Sequence, residues 1–129
     1  MADGRKRVET RSWPQRSLQR GDLFAIHASK GWTIADRHCA EAFGYDPDTL
    51  PRGEIVALVF FKGCWPTELF FDDPRFTQEE ESYGDYSAGR FGWVCDLWKK
   101  LDSPIPCKGA LSLWFVPYEI SEQLAVALR

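Results

Sequence analysis

Lys6, Glu9, Arg11 and Trp13 stand close together near the start of the chain, and their types suit recognition of an anion with a flat face. In extended backbone, side chains alternate between two faces. With Val8, Thr10 and Ser12 on one, Arg7, Glu9, Arg11 and Trp13 share the other. That face is either solvated or a pocket wall, because buried charges need partners and an indole N–H needs an acceptor. Lys6, Arg11 and Lys30 can hold phosphates, while Trp13 and Trp93 can stack on an unpaired base. Glu9 can accept from the amino group of a base edge. Lys6 and Glu9 are also the pair to consider for acid–base work, provided burial moves their proton affinities towards neutrality. The plain alternative is a water-facing charged strand whose ion pairs contribute little.

The elements that must position these residues follow from the pattern. Val8–Trp13 reads as one strand and Leu23–Ala28 as a second, mostly apolar one. His27 in that second strand reads as a core or rim histidine. Thr33 and Asp36 have capping-box spacing for a helix with Ile34, Ala35, Cys39, Ala42 and Phe43 on its apolar face and Gly44 as its stop. Glu54–Trp65 is the longest expected strand, continuously apolar from Ile55 to Phe61 and hence central. Asp72–Gly89 is acidic and irregular, with a helical turn at Thr77–Glu80, and is either a solvated loop or a lid. Phe91–Leu101 and Leu111–Val116 are further strands, and Ser121–Leu128 a terminal helix. Trp65, Trp98 and Trp114 are expected in the core.

The 129 residues suit a single domain, 1–129, with a core of its own. No stretch approaches the length of a membrane helix and no apolar region follows the basic start, so a cytoplasmic protein is expected. Cys39, Cys64, Cys95 and Cys107 include no paired spacing. They read as free, mostly buried thiols, with no metal and no cofactor implied. The net charge of −3 argues against a general grip on nucleic-acid backbone. Its distribution matters more. Residues 1–30 are rich in Arg and Lys, whereas residues 68–85 carry Arg75 as their one cation among many carboxylates. A local basic patch can steer an anion even on an acidic protein.

Glu9-Thr-Arg-Ser-Trp-Pro14, followed by Ile26-His-Ala-Ser-Lys30, resembles the signature of the ASCH domains, relatives of the PUA domains. Gly53–Val59, Gly92-Trp93-Val94 and Lys108–Trp114 occur in the order that family uses. The resemblance implies a mainly β protein with short helices (α+β), a PUA-like β-pseudobarrel of about five to six strands. It also implies a cleft beside the barrel that binds RNA, single-stranded nucleic acid or a modified nucleotide. Glu9, Arg11, Trp13, Lys30 and Trp93 are the expected ligand contacts.

Some proteins of this kind hydrolyse RNA, and others remove an acyl group from a modified cytidine. The latter use a Lys that corresponds to Lys6 and a threonine whose position is Glu9 here. That makes Lys6 and Glu9 the candidate catalytic residues of a hydrolase. The family's usual opening strand and helix have no counterpart before Gly4. Their absence is expected to expose a strand edge, and a homodimer through that edge is a third reading.

Overall fold

The apolar run expected at the centre of the sheet is there. Strand β3 (Glu54–Pro66) buries Ile55–Val59 and Phe61. The computed structural model describes Met1 and residues 4–31, 33–110 and 113–128. Around β3 the chain adds β1 (Val8–Arg11), β2 (Leu23–Ala28) and β4 (Phe91–Pro106), in the sheet order β1-β4-β3-β2. The class is the expected one, mainly β with short helices.

Four strands form among the described residues, in place of five or six. Of the strand expected over Leu111–Val116, Leu111 and Ser112 lie outside the described residues, and residues 113–116 form none. Phe115 there is 99% exposed, and Trp114 packs edge-on to His27 at 5.6 Å instead of joining a ladder. Strand β4 runs on past Leu101, its expected end, through Pro104 to Pro106.

Two compact units make up the chain, Met1–Ile26 with Ala57–Lys100 and His27–Val56 with Leu101–Arg129. In the first, Val59, Phe61, Trp93 and Cys95 form the core, with Phe24, Ile26 and Leu97 packed against them. These are the inward positions of alternating strands. Trp65 and Trp98 were expected in this core and are both exposed. Trp98 has the opposite parity to Trp93 and Cys95, and the Trp65 ring folds onto Gly63, occupying the space a Cβ would need.

The acidic segment is not a loose loop. A 3₁₀ turn (Thr67–Asp72) and helix α2 (Gln78–Ser82, capped by the Thr77 hydroxyl) set Phe70, Phe76 and Tyr86 against one another. The same segment takes up the outer edge of β1. The buried Glu80 carboxylate accepts the backbone N–H groups of Arg7 (3.0 Å) and Val8 (2.8 Å). The Thr10 hydroxyl accepts from the Asp85 N–H at 3.0 Å, and Arg90 donates to the Thr10 carbonyl at 3.3 Å. The edge expected to be bare is therefore occupied at these groups by the chain itself.

In the second unit, the capping box expected at Thr33 and Asp36 is made in full and opens α1 (Ile34–Ala42). The Thr33 N–H held by the Asp36 carboxylate keeps that carboxyl below its usual range. The apolar face expected to bury this helix does not do so, since Ile34 is 75% exposed. End capping and the Arg37–Asp48 pair at 2.8 Å hold it instead. Gly53 (φ +66°) turns the chain into β3, donating to the Ala28 carbonyl at 2.7 Å and accepting from the Cys107 N–H at 3.1 Å. Ile55, Leu101, Ile105 and Leu124 of α3 (Tyr118–Ala127) are buried.

The cysteines are free, but only Cys95 is buried and Cys39 is exposed. Burial, reinforced by Glu9 and Asp96, pushes the Cys95 thiol up to about 12. A raised value means that folding favours the proton, so this contribution to stability is lost as pH rises towards that value. Iodoacetamide at mildly alkaline pH is expected to label Cys39 in the native protein and Cys95 only on unfolding, as read by mass spectrometry. Native labelling of Cys95 at the rate of Cys39 would contradict this packing. Glu80→Ala strands two donors at the β1 edge and is expected to cost about 2–4 kcal/mol. A urea midpoint equal to that of the unchanged protein would show that Glu80 does not pin the strand.

Candidate functional site

Strand β1 delivers the site through its period of two. Val8 and Thr10 are buried, which turns Glu9 and Arg11 to the other face. Antiparallel pairing sets Val8 against Val94, Glu9 against Trp93, Thr10 against Gly92 and Arg11 against Phe91. Gly92 has to be glycine, because a Cβ there would stand 2.6 Å from the Phe70 ring and 2.9 Å from Val8 Cγ1. That close approach lets Phe70 pack behind the strand pair that carries the site.

On the site face, Glu9 is held by one cation on each oxygen. Lys6 Nζ lies 3.1 Å from Oε2 and Arg11 Nε lies 3.2 Å from Oε1. All three side chains are partly exposed, so each pair by itself is worth little in stability. Their value is positional. Glu9 fixes the Arg11 guanidinium, whose Cζ stands 5.8 Å from the Trp93 ring centroid. Trp13 meets Trp93 edge-on at 4.7 Å between ring centroids. That spacing and angle are the favoured aromatic arrangement.

The two tryptophans play different parts. Trp13 follows β1 and is 37% exposed, whereas Trp93 is 4% exposed and shares the first unit's core. Trp93 was expected to offer a stacking face. It is instead the floor on which Trp13 and Arg11 rest. Its indole Nε1–H is buried without a hydrogen-bond partner among the described residues.

Lys6, Glu9, Arg11, Trp13 and Trp93 are thus brought together in the first unit. Lys30 belongs to the second, where its stem lies 3.5 Å from the position of a Gly53 Cβ and it lines a cavity with Arg52 and Lys108. His27 is in that unit too, with Nε2 2.6 Å from the Cys107 carbonyl. A carbonyl can only accept, so Nε2 bears the proton. Neither Arg52 nor Lys108 was expected among the ligand contacts; Lys108 heads the Lys108–Trp114 motif, while Arg52, an isolated cation in a turn, gives no periodic signal that could have marked it.

No curated protein matches the chain. The ASCH domain profile matches residues 1–105, which takes in β1, the Glu9 cluster, Trp93 and nearly all of β4. With most of its length covered and these motifs on one strand pair, the chain belongs to the ASCH domain family.

Proposed function

We propose that the first unit binds RNA or another single-stranded nucleic acid, with Trp13 as the stacking surface and Arg11 as the phosphate contact. The family is in general one of RNA-binding, PUA-like domains, which supports the class of ligand. The observation that carries the reading is the pairing of a half-exposed Trp13 with a cation pre-set beside it by Glu9. A base has a π-face whatever its identity, so an exposed indole on a rigid floor accepts it without sequence readout. Glu9 offsets one of the two cations it holds, so Lys6, Glu9 and Arg11 together carry one positive charge towards the ligand. Lone pairs of Glu9 not used by Lys6 and Arg11 can accept from a base amino group.

The Lys6–Glu9 ion pair is the geometry from which a hydrolase would start, and one experiment separates the two activities. Short single-stranded RNA is titrated while tryptophan fluorescence is followed, and the RNA is sampled by mass spectrometry. Saturable quenching with intact RNA is expected. Trp13→Ala is expected to cost about 1–3 kcal/mol of binding, and Arg11→Ala to weaken it about tenfold. Unchanged affinity in Arg11→Ala would remove β1 from the site, and cleaved RNA whose yield falls in Lys6→Ala would make the protein a nuclease.

A further inference from the structure

Val8 alternates with Glu9 along β1, and on the Val8 side of the strand a cavity of about 650 Å³ opens within the first unit. Val8, Val94, Phe70 and Phe76 give it an apolar floor. Trp65 and Leu69 stand at its mouth, 44% and 54% exposed. That size and lining suit a small organic molecule, whose cavities run from about 300 to 1,000 Å³ and are mostly apolar with a few polar groups to orient the ligand. We infer that the cavity is a site for a flat aromatic body bearing a single carboxylate.

The lining is held from behind. The Glu80 carboxylate accepts the Val8 N–H at 2.8 Å and so sets the strand that makes the floor. Phe70 lies hard against β4, where a Cβ at Gly92 would stand 2.6 Å from its ring. Phe70 and Phe76 both pack on Tyr86, with ring centroids 5.7 and 4.8 Å away. At the mouth, the Trp65 ring rests over Gly63, and no ring of a described residue packs on it. At the rim, the turn that carries Arg20 is tied to β3 by two backbone bonds, Gly21 N–H to the Phe61 carbonyl and Phe61 N–H to the Asp22 carbonyl, both at 2.8 Å. The stem of Arg20 is thereby placed at the cavity while its guanidinium can turn to a ligand.

Charge and shape decide the class of ligand. Five cations line the cavity, and four of them are engaged within the chain. Arg5 lies 3.4 Å from Glu79 and Arg75 2.9 Å from Asp73, so each of these cations has its own carboxylate. Arg7 and Lys62 share the one carboxylate of Asp96, at 2.9 and 3.6 Å, and the charge left over there is matched by the buried Glu80. Arg20 remains, with no ion pair to a described residue. One unmatched positive charge favours a monoanion over a phosphomonoester, which brings nearly two negative charges. The planar fork of a guanidinium fits both oxygens of a carboxylate. Trp65, Phe70 and Phe76 offer a ring more than buried area alone, through edge and face contacts. This assignment uses none of the Glu9 cluster and stands whether or not that face binds RNA.

Calorimetric titration of the full chain with sodium naphthoate tests it, with the Trp65 indole N–H signal followed in parallel by NMR. One saturable site is expected, with the Trp65 signal moving and that of Trp13 unmoved. Arg20→Gln is expected to weaken binding about tenfold. Leu69→Asp, which sets a carboxylate at the mouth, is expected to weaken it by about tenfold or more, and Arg11→Ala to leave it unaltered. Arg20 and Leu69 are both exposed, so neither substitution touches the core, and circular dichroism checks the fold of each variant. Neutral naphthamide is expected to bind about tenfold more weakly than naphthoate. Absence of saturable binding up to millimolar concentration would overturn the inference, as would equal affinity for the acid and its amide, or affinity indifferent to both variants. Displacement of naphthoate by single-stranded RNA would also overturn it, because the cavity would then belong to the nucleic-acid surface.

Discussion

The arrangement of Glu9, Arg11 and Trp13 in the first unit hangs on the pinning of a four-residue edge strand. Strand β1 (Val8–Arg11) is too short to be held by its ladder to β4 alone. The Glu80 carboxylate, brought from the acidic segment by α2, takes the Arg7 and Val8 N–H groups, and Asp85 and Arg90 take Thr10. Because side chains in a strand alternate, fixing Val8 and Thr10 inward also fixes Glu9 and Arg11 outward. A slip of one residue would exchange the two faces and bury two charges.

The uneven charge along the chain acquires a structural meaning from this. Acidic residues of the middle segment do not answer the basic start by general attraction. Glu80 answers backbone donors, Glu79 answers Arg5 at 3.4 Å, and Asp96 of β4 answers Arg7 at 2.9 Å. With the neighbouring cations engaged, the Arg11 guanidinium beside Trp13 is left to be directed by Glu9. The same bonds occupy the Arg7 and Val8 N–H groups and the Thr10 carbonyl on the edge expected to be bare.

Periodicity made the strands legible, and spacing made the caps legible. The apolar run of β3, the exact bounds of β2, the alternation of β1 and the Thr33–Asp36 box all follow from local chemistry, and local chemistry survives folding. The grouping of Glu9, Arg11 and Trp13 was visible for the same reason. What could not be read was long-range. Nothing local says that Glu80 turns inward to two N–H groups over 70 positions away, since its capping spacing looks alike either way. Nor does alternation alone say that Trp98 lies on an uncovered face, or that Trp93 is floor and not platform. Those outcomes depend on which elements cover each face of the sheet.

The central claim is that the ligand meets the face of Glu9, Arg11, Trp13 and Trp93. It is tested most directly by a ¹H–¹⁵N correlation titration with single-stranded RNA, following the tryptophan indole N–H signals assigned by single substitution. The account predicts that Trp13 shifts and saturates, with Trp93 following through its edge contact with Trp13, while Trp65 and Trp98 stay in place. Saturating shifts at Trp65 and Trp98 with Trp13 and Trp93 unmoved would place the ligand elsewhere and contradict the account.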